Sequence, residues 1–184
     1  MRRQLRAAAI VGLFAIVLGN LCASAQATAQ KDSPPDVPDA IQAPAGEEVV
    51  VFAHATGSQI YACQAAAGDR FSWTLKGPEA ELRDRNDKVI GQHSAGPTWK
   101  LKDGSEVTGK VAAQVDSLDA DSIAWLLLKV SSNAGKGILS KVTSVQRVHT
   151  KGGKPPAEGC DASHRDAETK SSYSADYYFY APAK

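Results

Sequence analysis

EVVVFAHATGSQIYACQ, residues 48–64, is dense in β-branched and aromatic residues, and its second half alternates. Ile60, Ala62 and Gln64 fall on one side, Tyr61 and Cys63 on the other. Period-two alternation is the pattern of a half-buried strand. The same pattern continues outward along the chain. FSWTL (Phe71 to Leu75) places Phe71, Trp73 and Leu75 together, and AELRD and KVIGQ flank the polar turn Arg85-Asn86-Asp87 as a hairpin would. TWKL leads into Asp103-Gly104, a dipeptide suited to tight reversal, before SEVTGKVAAQV. IAWLLLKV (Ile123 to Val130) is continuously apolar, as expected of a strand covered on both sides. In KVTSVQRVHT (Lys141 to Thr150), Val142, Ser144, Gln146 and Val148 oppose Thr143, Val145, Arg147 and His149. In SYSADYYFY, Tyr173, Ala175, Tyr177 and Phe179 share a side. No segment of helical length carries a capped i, i+3, i+4, i+7 apolar stripe. The expected fold class is all-β: a single antiparallel β-sandwich or barrel domain with little helix.

Residues 1–25 read as a cleavable signal peptide. Arg2, Arg3 and Arg6 precede the apolar run AAAIVGLFAIVLGNL, which leads to the small-x-small site Ala23-Ser24-Ala25. That run is too short to cross a bilayer as a helix, and Leu21 is too large for the position before a lipid-modified Cys22. The expectation is a secreted or periplasmic protein, cut near Ala25, with no stable membrane insertion. Residues 26–45, with prolines at 34, 35, 38 and 44, are expected to be a Pro/Ala-rich tether, and residues 46–184 the β-rich domain.

Cleavage removes three of the 21 Lys and Arg and leaves 18 against 20 Asp and Glu, a net charge of −2. Such a surface gives no electrostatic reason to bind nucleic acid. Cleavage also removes Cys22, so Cys63 and Cys160 have a single possible pairing: a disulfide enclosing 96 residues (160 − 63 − 1). Zinc is the rival use of these thiols. Cys160 has His164 four residues on, but Cys63 has no such neighbour, and His54, His93, His149 and His164 form no H-x-H or H-E-x-x-H pair. No metal is expected.

Several segments together resemble a known family: GSQIYAC (Gly57 to Cys63), GQHSAGPTW (Gly91 to Trp99) with DGS (Asp103 to Ser105), AWLLL (Ala124 to Leu128), VQRVHTKGG (Val145 to Gly153), GCD (Gly159 to Asp161) and YSADYYFY (Tyr173 to Tyr180). The combination is similar to domain-of-unknown-function family 3455, found in secreted bacterial and fungal proteins. The resemblance spans most of the chain after residue 25 and implies export, but no particular activity. Some fungal relatives carry a dehydrogenase label. This chain offers one candidate nucleotide fingerprint, Gly135-x-Gly137-x-x-Ser140, with Ser140 in place of the third glycine. The Gly- and Pro-rich KGGKPP stands where the ribose-binding acid belongs. A nucleotide-dependent dehydrogenase is rejected, and no cofactor is expected.

Candidate chemistry concentrates in HSAGPTWKLKDGS, where His93, Asp103 and Ser105 include the residue types of a base, an orienting carboxylate and a nucleophile. No G-x-S-x-G elbow accompanies them, and Asp103 and Ser105 sit in a turn whose side chains ordinarily bond local backbone. Glu79 and Glu81 offer a carboxylate pair but read more simply as a charged outer face. The expected function is therefore a non-catalytic binding module for a small ligand or an envelope or extracellular polymer. The expected site is His93, Pro97, Thr98, Trp99 and Asp103: His93 and Asp103 as polar anchors, Trp99 as the apolar surface. A hydrolase of envelope or extracellular polymers is the alternative, and a structural envelope component the third.

Overall fold

The computed structural model describes residues 32–184; the expected signal peptide and the first residues of the expected tether lie outside the described residues. Eight strands follow in chain order: β1 (Glu47–Ala66), β2 (Arg70–Arg83), β3 (Val89–Ser94), β4 (Thr98–Leu101), β5 (Glu106–Val115), β6 (Trp125–Ala134), β7 (Ser144–Gly152) and β8 (Glu168–Pro182). Each pairs antiparallel with its chain neighbour, and β8 pairs with β1, so the sheet closes into a barrel. The choice left open between sandwich and barrel falls to the barrel. Closure pairs every strand on both sides over at least part of its length, which limits the free edge that is the usual liability of an all-β chain. Among the described residues there is no α-helix, only three 3-10 turns.

Alternation decides what fills the barrel. Val51, Ala53 and Ala55 of β1 face in, beside Phe179, Tyr177 and Ala175 of β8. Small residues on one strand thus make room for large rings on the next. Ala80, Leu82, Trp99, Leu101, Val107, Leu126, Leu128 and Val145 complete the wall. Gly57 marks the close approach of β1 to β2: a Cβ there would stand 2.2 Å from the Glu79 carbonyl oxygen.

The outer face of β6, β7 and β8 is covered as well. Ile41 is fully buried against a cluster of Val49, Trp125, Val148, Tyr178 and Tyr180, with Val37 and Ala43 alongside. Gln146 Nε2 donates to the Ile41 carbonyl at 2.6 Å, and the Tyr180 hydroxyl donates to Gln146 Oε1. Part of the stretch expected to be a free tether is therefore packed on the barrel. Its prolines keep it out of the sheet, and the 3-10 turn Asp39–Ile41 sets Ile41 against the sheet face. IAWLLLKV is apolar throughout for this reason: Leu126 and Leu128 look into the barrel while Trp125 and Leu127 meet the strap.

The two ends of the barrel differ. At the end holding the β2–β3, β4–β5 and β6–β7 connections, the 3-10 turn Ile138–Lys141 inserts Leu139 as a fully buried plug. Asp103 Oδ2 accepts from the Ile138 N–H (2.8 Å), Ser105 Oγ accepts from the Leu139 N–H (3.2 Å), and Asn133 Nδ2 donates to the Leu139 and Val142 carbonyls. Gly137 lies against the Asp103 carboxylate, where a Cβ would be 2.4 Å from Oδ2. At the opposite end, the Cys63–Cys160 disulfide joins β1 to the β7–β8 connection, with Cα atoms 5.3 Å apart.

Candidate functional site

The wall of the barrel is low on one side. β3 and β4 are short and joined by a tight turn, so β2 pairs with β3 only from Ala80 onward, and β5 pairs with β4 only up to Thr108. Above that turn no strand bridges β2 and β5. The gap opens into a cavity of ≈ 350 Å³. Leu75 and Pro78 of β2, Pro97 of the turn and Val111 of β5 form its rim. Leu75 and Val111 are about half exposed (52% and 54%), an unusual state for aliphatic side chains facing an opening.

His93 and Trp99 line the interior as cross-strand partners, one each from β3 and β4. Their rings stack at 4.5 Å with 3° between planes, and Tyr177 meets both edge-on at 5.0 and 5.5 Å. His93 Nδ1 lies 2.8 Å from the Thr98 carbonyl, which can only accept, so Nδ1 carries the proton and Nε2 is left as an acceptor. Burial pushes the His93 pKa down to about 3, opposed by the bond to Thr98 and assisted by the charge of Arg147. His93 is a neutral ring at physiological pH.

Arg147 enters the same cavity from β7. Its Nε and Nη2 donate to the Ala124 carbonyl at 3.2 and 2.8 Å. Among the described residues no carboxylate lies within 4.0 Å of it. Gln59, 2% exposed, also lines the cavity, and its Nε2 has no hydrogen-bond partner. The Trp99 Nε1–H and the Tyr173 and Tyr177 hydroxyls are buried without a partner in good geometry. Burial raises the pKa of both tyrosines, so they are neutral donors.

A family model describing a protein of unknown function, DUF3455, matches residues 44–181. The chain belongs to the DUF3455 family. No curated protein and no solved structure matches it. In this DUF3455 chain every segment that carried the resemblance lies within the matched residues. The cavity is built from the same segments: Gly91 to Trp99 supply the stacked pair, Ala124 to Leu128 the leucine wall, and Val145 to Gly153 the arginine.

The structure sorts the expected site residues. His93, Pro97 and Trp99 line one cavity. Thr98 supports it, its carbonyl holding His93 and its Oγ1 lying 3.2 Å from Thr108 Oγ1. Asp103 does not join them. It sits at the plugged end, beside a separate depression with Val51, Ile90 and Ile138. Its carboxylate accepts from the Ser105 N–H (2.9 Å) and hydroxyl (2.6 Å), and these bonds with that of Ile138 hold its pKa below the usual carboxylate range. Ser105 is fully buried, bonded to Asp103 and Leu139, and His93 is bonded to Thr98. No nucleophile–base pair forms from these three.

The other readings resolve locally. Gly135 and Gly137 lie in the β6–β7 connection and lead to the plug, with no βαβ unit around them. Glu79 and Glu81 are engaged by Lys170 and Arg83 on the outer surface. His54 and His149 both bond Asp176, at 2.7 and 3.0 Å. Arg147, Gln59 and Tyr177 were missed as site residues. The signal was present for two of them: Arg147 shares a strand face with Val145, and Tyr177 shares one with Tyr173 and Phe179.

Proposed function

We propose that this DUF3455 protein is a non-catalytic binding protein that takes a small organic ligand into the barrel through the gap between β2 and β5. One observation carries the reading: a cavity of ≈ 350 Å³, within the size range of small-molecule sites, lined by the stacked His93–Trp99 pair and by idle buried donors. His93, Pro97 and Trp99 serve as contact residues, with Thr98 positioning His93. Because Leu139 plugs the far end, the cavity suits a small molecule or a chain end better than the middle of a polymer. The protein acts outside the cytosol, in the periplasm or beyond. The Cys63–Cys160 disulfide supports that location, since such bonds persist in oxidising compartments.

The test is a screen of small aromatic compounds, anionic, neutral and cationic, read by quenching of tryptophan fluorescence. Saturable one-to-one binding is expected from at least one class. Val111→Trp, at an exposed rim position, should block entry while leaving the thermal midpoint unchanged. Absence of any saturable ligand, or binding that ignores Val111→Trp, would sink the proposal.

A further inference from the structure

The cavity has a chemical polarity of its own. Below the rim its ionised group is Arg147, and no Asp or Glu contributes to its lining. Arg147 spends two of its five N–H donors on one backbone carbonyl and has no counter-ion among the described residues. Lys76, at the rim, is already paired with Glu168. Gln59 Nε2 and Trp99 Nε1 add donors without acceptors, and the Tyr177 hydroxyl and the acceptor His93 Nε2 complete the polar lining near them. An arginine with no carboxylate beside it and N–H donors to spare is suited to pair with an acceptor-rich anion. Arginine is suited to the task because its planar fork meets a carboxylate, sulfonate or phosphate with two parallel bonds.

The rest of the wall is flat and apolar. His93 and Trp99 stack in nearly one orientation, Leu126 and Leu128 line the adjoining wall, and Leu75 and Val111 extend the apolar surface to solvent. We propose that the ligand is a small organic anion, its charged head paired with Arg147 and its apolar body on the His93–Trp99 stack. This inference rests on the barrel cavity being the ligand site proposed above.

Two dyes of matched skeleton test it on the full exported chain: 8-anilino-1-naphthalenesulfonate and N-phenyl-1-naphthylamine, which lacks the sulfonate. The expected result is one-to-one binding of the anionic dye, about ten-fold or more tighter than the neutral one, as a charge-assisted pair provides. Arg147→Gln should weaken the anionic dye by about ten- to hundred-fold and leave the neutral dye within about two-fold. Arg147→Lys, which keeps the charge, should retain most of the preference. Unchanged near-ultraviolet circular dichroism certifies an intact barrel; should Arg147→Gln lose it, the preference of the wild-type protein and its weakening by salt decide instead. Equal affinity for the two dyes, or indifference of the anionic dye to Arg147→Gln, overturns the anion assignment and leaves the cavity as a ligand site. Failure of both dyes to saturate the wild-type protein removes the cavity reading, and the anion assignment with it.

Discussion

His93 is the most informative single residue, because its ring is held neutral chiefly by burial, with the Arg147 charge adding to the effect. Its pKa falls from 6.5 to about 3 on folding, so between those values the unfolded chain binds a proton that the folded one refuses. Stability is therefore whole above about pH 6.5 and declines as pH falls toward 3, by up to about 1.4 kcal/mol per pH unit from this group. His93→Phe keeps a ring against Trp99 and removes the titration. Denaturant melts from pH 7 to 4 should show a flatter decline for the variant, and an equal slope would rule out the assignment. Asp103 and Ser105 belong to a different task. Ser105→Ala leaves the Leu139 N–H without its acceptor in a buried position, at a cost of about 1–3 kcal/mol. The same variant should bind ligand as the wild type does. A loss of affinity with no loss of stability would reverse that division of labour.

Two elements repay study beyond their residues: the strap around Ile41 and the short β3–β4 hairpin. The strap supplies the outer cover of β6, β7 and β8, which explains why Tyr178, Tyr180 and Trp125 are buried. Ile41→Ala should lower stability by about 2–4 kcal/mol, measured by chemical denaturation, as for other fully buried large-to-small changes. A change near zero would mean that the strap lies on the barrel without holding it. The hairpin does the opposite kind of work. By ending at the turn through Gly96 and Pro97, it leaves the upper edges of β2 and β5 unbridged, and the cavity exists because that wall is short.

For the molecule as a whole, the disulfide joins the first strand to the last connection and so restricts most of the chain when it unfolds. Cys63→Ser with Cys160→Ser should cost about 2–5 kcal/mol, read by chemical denaturation. Non-reducing thiol titration of the native protein should find no free sulfhydryl at these two positions; two titratable thiols would refute the bridge. The barrel carries an asymmetry that defines where ligand enters: one end is plugged by Leu139 and hydrogen-bonded shut, while the other has its opening in the side.

The all-β class, the inward set of Tyr173, Ala175, Tyr177 and Phe179, and the pairing of two cysteines were legible in the chain. Alternation and composition are local, and with Cys22 set aside in the expected signal peptide two thiols admit one connectivity. Membership of a single segment in the site was legible only in part. His93 and Trp99 sit across one tight turn, so neighbours in sequence are neighbours in space, and Pro97 comes with them. Asp103 is just four residues beyond Trp99, yet β4 carries it to the other end of the barrel. Arg147, 48 residues from Trp99, reaches the same cavity because closure of the sheet turns β7 and β4 toward one interior. Closure is a property of all eight pairings at once, so no window of sequence contains it. It set which charges, rings and donors share the interior.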